Sequence, residues 1–258
     1  MRARTAAPAA PALGAPARWP WFVLALFIAI AIVATVLVAV NDESVLEQIP
    51  FIVAFAMFGV VGALILSRAS RNRIGAILLW GSTTTALAFL CGEIMTRLVL
   101  DGTTDGLAVG VVAIVSNVGW VLGILPVLFF LPFLFPDGHL PSRRWLPVAV
   151  FCAITLVLLG LAIVFGEPRL TGNTEGIAVD NPLFVDGLGN VHVPDLVISL
   201  LLIGCLAASI ASLVVRFRRT RGVERQQIKW VVASVILLLT SFVVSSFVSG
   251  ITGEDSYL

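Results

Sequence analysis

Long apolar runs separated by short polar gaps set the pattern of this chain. Seven such runs, at 19–40, 49–67, 74–100, 107–135, 146–165, 195–215 and 230–250, are free or nearly free of charge. Each is about twenty residues or longer, the length a helix needs to cross a bilayer. The runs are continuous rather than alternating, which predicts helices and not the strands of a membrane barrel. The run at 107–135 carries Pro126 and Pro132 and is expected to tilt, kink or end early. Pro136-Asp-Gly138 after it is a turn signature, as is Asp101-Gly-Thr-Thr-Asp-Gly106 before it. The longest gap, 166–194, carries Pro182, several Gly and scattered acids, and is read as a solvated connector, with a ligand-reading lid as the second reading.

Charge adds orientation to this picture. Arg2, Arg4 and Arg18 precede the first run, Arg68, Arg71 and Arg73 fill the second gap, and Arg143 and Arg144 the fourth. The sixth gap holds Arg216, Arg218, Arg219, Arg221, Arg225 and Lys229, whereas the first and third gaps hold no base and the fifth only Arg169. Cytoplasmic loops retain Lys and Arg, so the even gaps are assigned to the inside. Trp19, Trp21, Trp145 and Trp230 fall at the same predicted inner boundaries, where indoles favour the headgroup region. The expected fold is an all-α polytopic bundle of seven transmembrane helices, N-terminus inside and C-terminus outside, in the plasma membrane. An Ala/Pro-rich arm, 1–18, is too poor in large apolar residues to build a core and is expected to be disordered. Residues 19–250 form the membrane domain and 251–258 a short tail.

Composition narrows the function classes. Of 258 residues, 59% are hydrophobic and 12% charged, which fits a membrane bundle better than a soluble domain. The net charge of +1 conceals basic residues on one side and acids on the other, so it does not point to nucleic acid. Cys91, Cys152 and Cys205 all lie within apolar runs without CxxC spacing and read as small buried hydrophobes. No P-loop, HExxH or GxSxG occurs, and His139 and His192 fall in gaps of opposite parity. Asp186 and His192 lack ligand spacing. The chain is therefore expected to be non-catalytic, without metal or cofactor.

The pair Glu93 and Arg97 is the exception to apolar interiors. Their i,i+4 spacing places them on one helix face with Glu leading, the favourable order for an ion pair. Glu93 lies roughly 12 Å below Asp101 at about 1.5 Å per residue. Ionisable groups at such depth are costly and mark functional sites by default. Arg97 also lies one turn from Asp101, toward which it can snorkel. Two readings follow: a self-neutralised pair that packs the third helix, and a sensing residue that faces the bundle interior. Small residues at spacing four recur at Gly119 and Gly123, at Gly204, Ala208 and Ser212, and at Ser241, Ser245 and Ser249. They fit tight packing within the chain or against a second copy. Ser82-Thr-Thr-Thr85, Ser116 and Asn117 are read as hydrogen-bonding groups in the packing.

Two inner gaps carry a resemblance. Leu134-Phe-Pro-Asp-Gly-His-Leu-Pro-Ser-Arg-Arg-Trp145 resembles the LFPDGRLPSRRW stretch of the membrane regions of actinobacterial sensor histidine kinases. Gly222-Val-Glu-Arg-Gln-Gln-Ile-Lys-Trp230 is similar to their RGxERQQLKW stretch, and Asn181-Pro182 fits the outer gap between them. His139 stands where Arg is commoner. The resemblance implies an input module that feeds a cytoplasmic kinase. The kinase's phosphoacceptor helix and ATP-binding domain are not in this chain, which is expected to be a truncated sensor or a stand-alone relative. Asp137, Arg143, Arg144, Glu224, Arg225 and Lys229 are the expected transmission residues, on stiff basic connectors at the inner face. The expected partners are the lipid bilayer, a cytoplasmic kinase or response partner and a second copy of the chain. A small-molecule-binding or transport bundle is the alternative, although the paired interrupted helices of transporters are not visible.

Overall fold

In a bilayer every backbone N–H and C=O must find its partner inside the protein, so runs this apolar fold as helices. The computed structural model describes residues 17–174, 176–189 and 195–219. The predicted seventh helix at 230–250, most of the arm at 1–18, His192 and the tail lie outside them. Among the described residues six helices are long and apolar enough to cross a membrane. They are α1 (Trp19–Val40), α2 (Val45–Arg68), α3 (Arg73–Leu100), α4 (Leu107–Leu134), α5 (Leu146–Gly166) and α7 (Asp195–Arg219). A one-turn α6 (Asp186–Gly189) precedes α7. The protein is a multi-pass helical membrane bundle.

Three boundaries depart from expectation. Helix α2 begins one turn before residue 49 and runs through Pro50, whose missing N–H frees only the Leu46 carbonyl at the helix end. Helix α7 continues past residue 215 to Arg219, because Arg216 is buried and hydrogen-bonded rather than solvated. The gap after α5 is more than a connector. Strands β1 (Arg169–Thr171) and β2 (Ala178–Asp180) pair antiparallel, with Leu170 opposite Val179. Both of those side chains are buried with Met95, Val109 and Ala113, while Arg169, Thr171 and Asp180 point out, the period-two pattern of a half-covered strand.

Helix α3 is the centre of the bundle. It is the least apolar span, and 56% of its most apolar stretch is buried, against 33% or less elsewhere. It packs against α1, α2 and most extensively α4, while α5 and α7 pack on α4. Glycines permit the α3–α4 approach: a Cβ on Gly123 would lie 2.9 Å from the Thr85 nitrogen, and one on Gly81 2.9 Å from the Gly123 carbonyl oxygen. The small pair Gly119 and Gly123 thus serves packing within the chain.

The prolines of α4 do not end the helix, and the carbonyl that Pro126 frees finds a donor on a neighbouring helix. Pro126 lacks the N–H that would bond the Leu122 carbonyl, and the Trp80 indole N–H of α3 takes that carbonyl at 3.1 Å. Trp80→Phe should therefore leave a bare carbonyl in the membrane and cost about 1–3 kcal/mol. Pro126→Ala restores the N–H, so the cost of Trp80→Phe should shrink in that background. A double-mutant cycle by thermal unfolding checks this, and equal costs in both backgrounds would refute it.

Both α1 and α3 close with Schellman caps. The Glu43 N–H reaches the Val38 carbonyl at 3.0 Å, and the Thr103 N–H reaches that of Leu98 at 2.8 Å. Asp42 (φ 59°) and Gly102 (φ 86°) adopt the left-handed conformation the caps require. The first cap folds Asn41 and Glu43 back over the end of the bundle, where they enter the site described next.

Candidate functional site

The helices alternate in direction, so the bundle has an acidic end, where α1 and α3 finish, and a basic end, where α2, α4 and α7 finish. A polar cluster sits at each.

At the acidic end Glu93 is fully buried. Its Oε2 accepts from the Asn41 amide at 3.0 Å, and its Oε1 accepts from the Asn173 amide at 2.9 Å. The same amides also donate to backbone carbonyls of α3, Asn41 to Glu93 at 3.1 Å and Asn173 to Phe89 at 3.1 Å. Asn173 lies in the turn of the β1–β2 hairpin. Its side chain fills a notch left by Gly92, where an added Cβ would lie 2.2 Å from it. Beside it Thr174 donates to the Glu43 carboxylate and lies 3.1 Å from the Thr96 hydroxyl. Asn117 of α4 donates to the Thr171 carbonyl at 2.9 Å. The hairpin is tied in this way to α1, α3 and α4, and the tie runs through an ionisable side chain at membrane depth.

Glu93 and Arg97 do not form the expected pair. Arg97 instead makes a two-pronged contact with Asp101, Nη2 to Oδ1 at 2.7 Å and Nε to Oδ2 at 3.1 Å. Both of those side chains are about half exposed, at 42% and 52%. One turn of helix separates Arg97 from either acid, and the guanidinium takes the one at the polar rim, where it keeps its hydration. Among the described residues no Lys or Arg bonds Glu43 or Glu93. The buried carboxylate is held by amide donors alone.

Below the hairpin, Asn181 caps the end of α5. Its amide donates to the Val164 and Glu167 carbonyls at 2.9 and 2.8 Å, and its Oδ1 accepts the Leu183 N–H at 3.0 Å. Pro182 fills a second notch, at Gly110 of α4. The Asn181-Pro182 step is thus a clamp between α5 and α4.

At the basic end the expected transmission residue Asp137 meets a partner the sequence did not single out. Arg216 of α7 donates to the Asp137 carboxylate at 2.8 Å, to the Phe133 carbonyl at 3.2 Å and to the His139 carbonyl. One turn back, Ser212 donates to the Pro132 carbonyl at 3.3 Å, which Pro136 leaves without its usual helical donor. Ser209 donates to the Phe129 carbonyl at 2.8 Å. Ser209, Ser212 and Arg216 share one face of α7 and together cap the C-terminal end of α4. Burial alone would raise the Asp137 carboxyl. The hydrogen bonds from Arg216 and the His139 N–H, with the Arg216 charge, outweigh it and hold the carboxyl below the usual carboxylate range.

Arg143 and Arg144 form a short 3-10 turn before α5 and are exposed, with no ion pair among the described residues. Glu224, Arg225 and Lys229 lie outside the described residues. Sequence reasoning missed Asn41, Glu43, Asn173, Thr174 and Arg216. Arg216 alone left a readable signal, since it falls four residues after Ser212 and so on the same helical face. Among the described residues no group of three or more His, Cys, Asp and Glu is placed to hold a metal ion. Comparison with protein-family models, with curated proteins and with solved structures finds no match.

Proposed function

We propose that this chain is a non-catalytic sensor and signal-transmission module of the plasma membrane, of the kind that serves as the input region of a two-component histidine kinase. The observation that carries the reading is Glu93, an ionisable side chain at membrane depth whose hydrogen bonds hold an extramembrane hairpin against α1 and α3. A stimulus that moves the hairpin changes what Glu93 bonds, and α3 carries that change into α4 across their glycine-lined interface. At the far end of α4 the Arg216 contact joins the LFPDGH turn to α7, which leads into the basic stretch resembling the kinases' connector. The charge distribution supports an orientation with the basic end in the cytoplasm, the N-terminus inside and, with a seventh helix at 230–250, the C-terminus outside. A cytoplasmic kinase or response partner then reads the basic end, and a second copy of the chain is the natural dimer partner.

The test uses the full chain in its native cells. Glu93→Gln and Asp137→Asn, each at wild-type abundance in the membrane, should alter the phosphorylation of response regulators on phosphate-affinity gels. A wild-type pattern for both variants would remove the signalling reading. The alternative, a small-molecule-binding or transport bundle, draws on the 920 Å³ apolar groove beside Trp80. Solute uptake by vesicles containing the purified chain would favour it.

A further inference from the structure

At the basic end a polar cavity of 650 Å³ opens between the α2–α3 turn and the Asp137-Gly-His139 turn. Arg68, Arg71 and Arg73 line it and are exposed, and none forms an ion pair among the described residues. The one carboxylate in its wall, Asp137, is already engaged by Arg216. Ala17, whose N–H bonds the Ser67 carbonyl at 2.9 Å, closes the side toward α1.

The apolar groove of 920 Å³ runs along α1, α3 and α4 and begins on the same helices where this cavity stops. Leu66 lines the groove and its neighbour Ser67 the cavity; Ala76 lines the groove and Arg73, one turn earlier, the cavity. The groove is apolar almost throughout and runs past Trp80 toward Leu87. A cationic basin that neighbours an apolar channel along the same helices is complementary to a molecule with an anionic phosphate head and a hydrocarbon chain.

We propose that this joint site binds one anionic phospholipid, its phosphate-bearing head among Arg68, Arg71 and Arg73 and one acyl chain in the groove along Ala76 and Trp80. A lipid held there braces the α2–α3 turn against the LFPDGH turn. The charge gives head selectivity and the groove gives affinity that does not depend on the head. Diffuse attraction of surface arginines to a charged bilayer supplies the first and not the second.

The test is native mass spectrometry of the detergent-solubilised full chain with phosphatidylglycerol, with phosphatidylcholine of the same chains and with inorganic phosphate. Phosphatidylglycerol should bind with a stoichiometry of one, more tightly than phosphatidylcholine, and free phosphate should not displace it. Changing Arg68, Arg71 and Arg73 together to Gln should weaken phosphatidylglycerol on the order of a hundredfold, at roughly fivefold per surface arginine. Ala76→Trp, which fills the groove from an exposed position, should weaken both lipids alike. Leu87→Trp, farther along the groove, replaces it if that variant unfolds. Undiminished phosphatidylglycerol binding by a folded groove variant would overturn the proposal, as would equal binding of both lipids or full displacement by free phosphate. None of these outcomes bears on the signalling reading, which rests on Glu93.

Discussion

Glu93→Ala should release the β1–β2 hairpin from the bundle. The substitution removes both acceptors that hold the Asn41 and Asn173 amides and opens a cavity at a fully buried position. The lost hydrogen bonds and the cavity together put the loss of stability at about 2–4 kcal/mol. Backbone amides of 169–180 should exchange hydrogen faster, whereas those of α4 and α7 near Ser209 should keep their protection, because they lie at the other end of the bundle. Glu93→Gln separates charge from shape. The amide accepts from one asparagine and presents its own N–H groups to the other, so release should be partial. Arg97→Gln should barely move the hairpin, since Arg97 is engaged with Asp101 at an exposed position, where such pairs contribute at most about 1 kcal/mol. Hairpin protection that survives Glu93→Ala would show that the remaining ties, from Asn117, Thr174 and the apolar contacts of Leu170 and Val179, hold it without Glu93. An equal fall with Arg97→Gln would show that Glu93 has no special part in it.

The span pattern of this bundle is legible in the sequence because each helix must satisfy its backbone within one continuous apolar run. The five spans up to residue 166 are placed within one turn. The local signals of turns and proline positions are readable for the same reason: they depend on residues a few places apart. The polar contacts are a different matter. Asn41 meets Glu93 across 52 residues and Asn173 meets it across 80, and nothing local in either asparagine distinguishes it from a solvated loop residue. The i,i+4 rule offers Arg97 two acids at equal spacing, Glu93 and Asp101, and only the depth of each decides between them. The prolines of α4 show the same limit. Pro126 announces an orphaned carbonyl, but its partner, Trp80, stands on another helix. The hairpin at 169–180 escaped notice because three-residue strands among glycines fall below the length at which alternation is visible.

Arg216→Met should be the most damaging single change at the basic end. Methionine keeps much of the length and apolar stem of arginine but none of its donors, so the Phe133 and His139 carbonyls and the Asp137 carboxylate all lose this partner. With hydrogen bonds from a charged donor contributing roughly 1.5–3 kcal/mol and these acceptors packed at a helix end, a loss of about 3 kcal/mol is expected. Asp137→Asn is the milder partner. It keeps an oxygen for the guanidinium and removes only an exposed charge, at a cost of less than about 1 kcal/mol. The pH profile follows from the lowered Asp137 carboxyl. A carboxylate whose pKa falls on folding stabilises the fold at every pH above its unfolded value, near 3.9. That contribution disappears as pH falls through the lower folded value. The wild-type chain should therefore hold the Asp137–Arg216 contact unchanged from neutral pH down to about 4, and lose it only in stronger acid. Asp137→Asn should show no such acid step, and its stability curve should meet that of the wild type at the acidic limit. Thermal unfolding in detergent against pH measures all three chains. Equal losses for Arg216→Met and Asp137→Asn at neutral pH would show that the ion pair alone joins α7 to the turn. A loss confined to Arg216→Met would place the strength of the joint in the Phe133 and His139 carbonyls, in and after the last turn of α4, where a shift of α7 along its own axis breaks both bonds together.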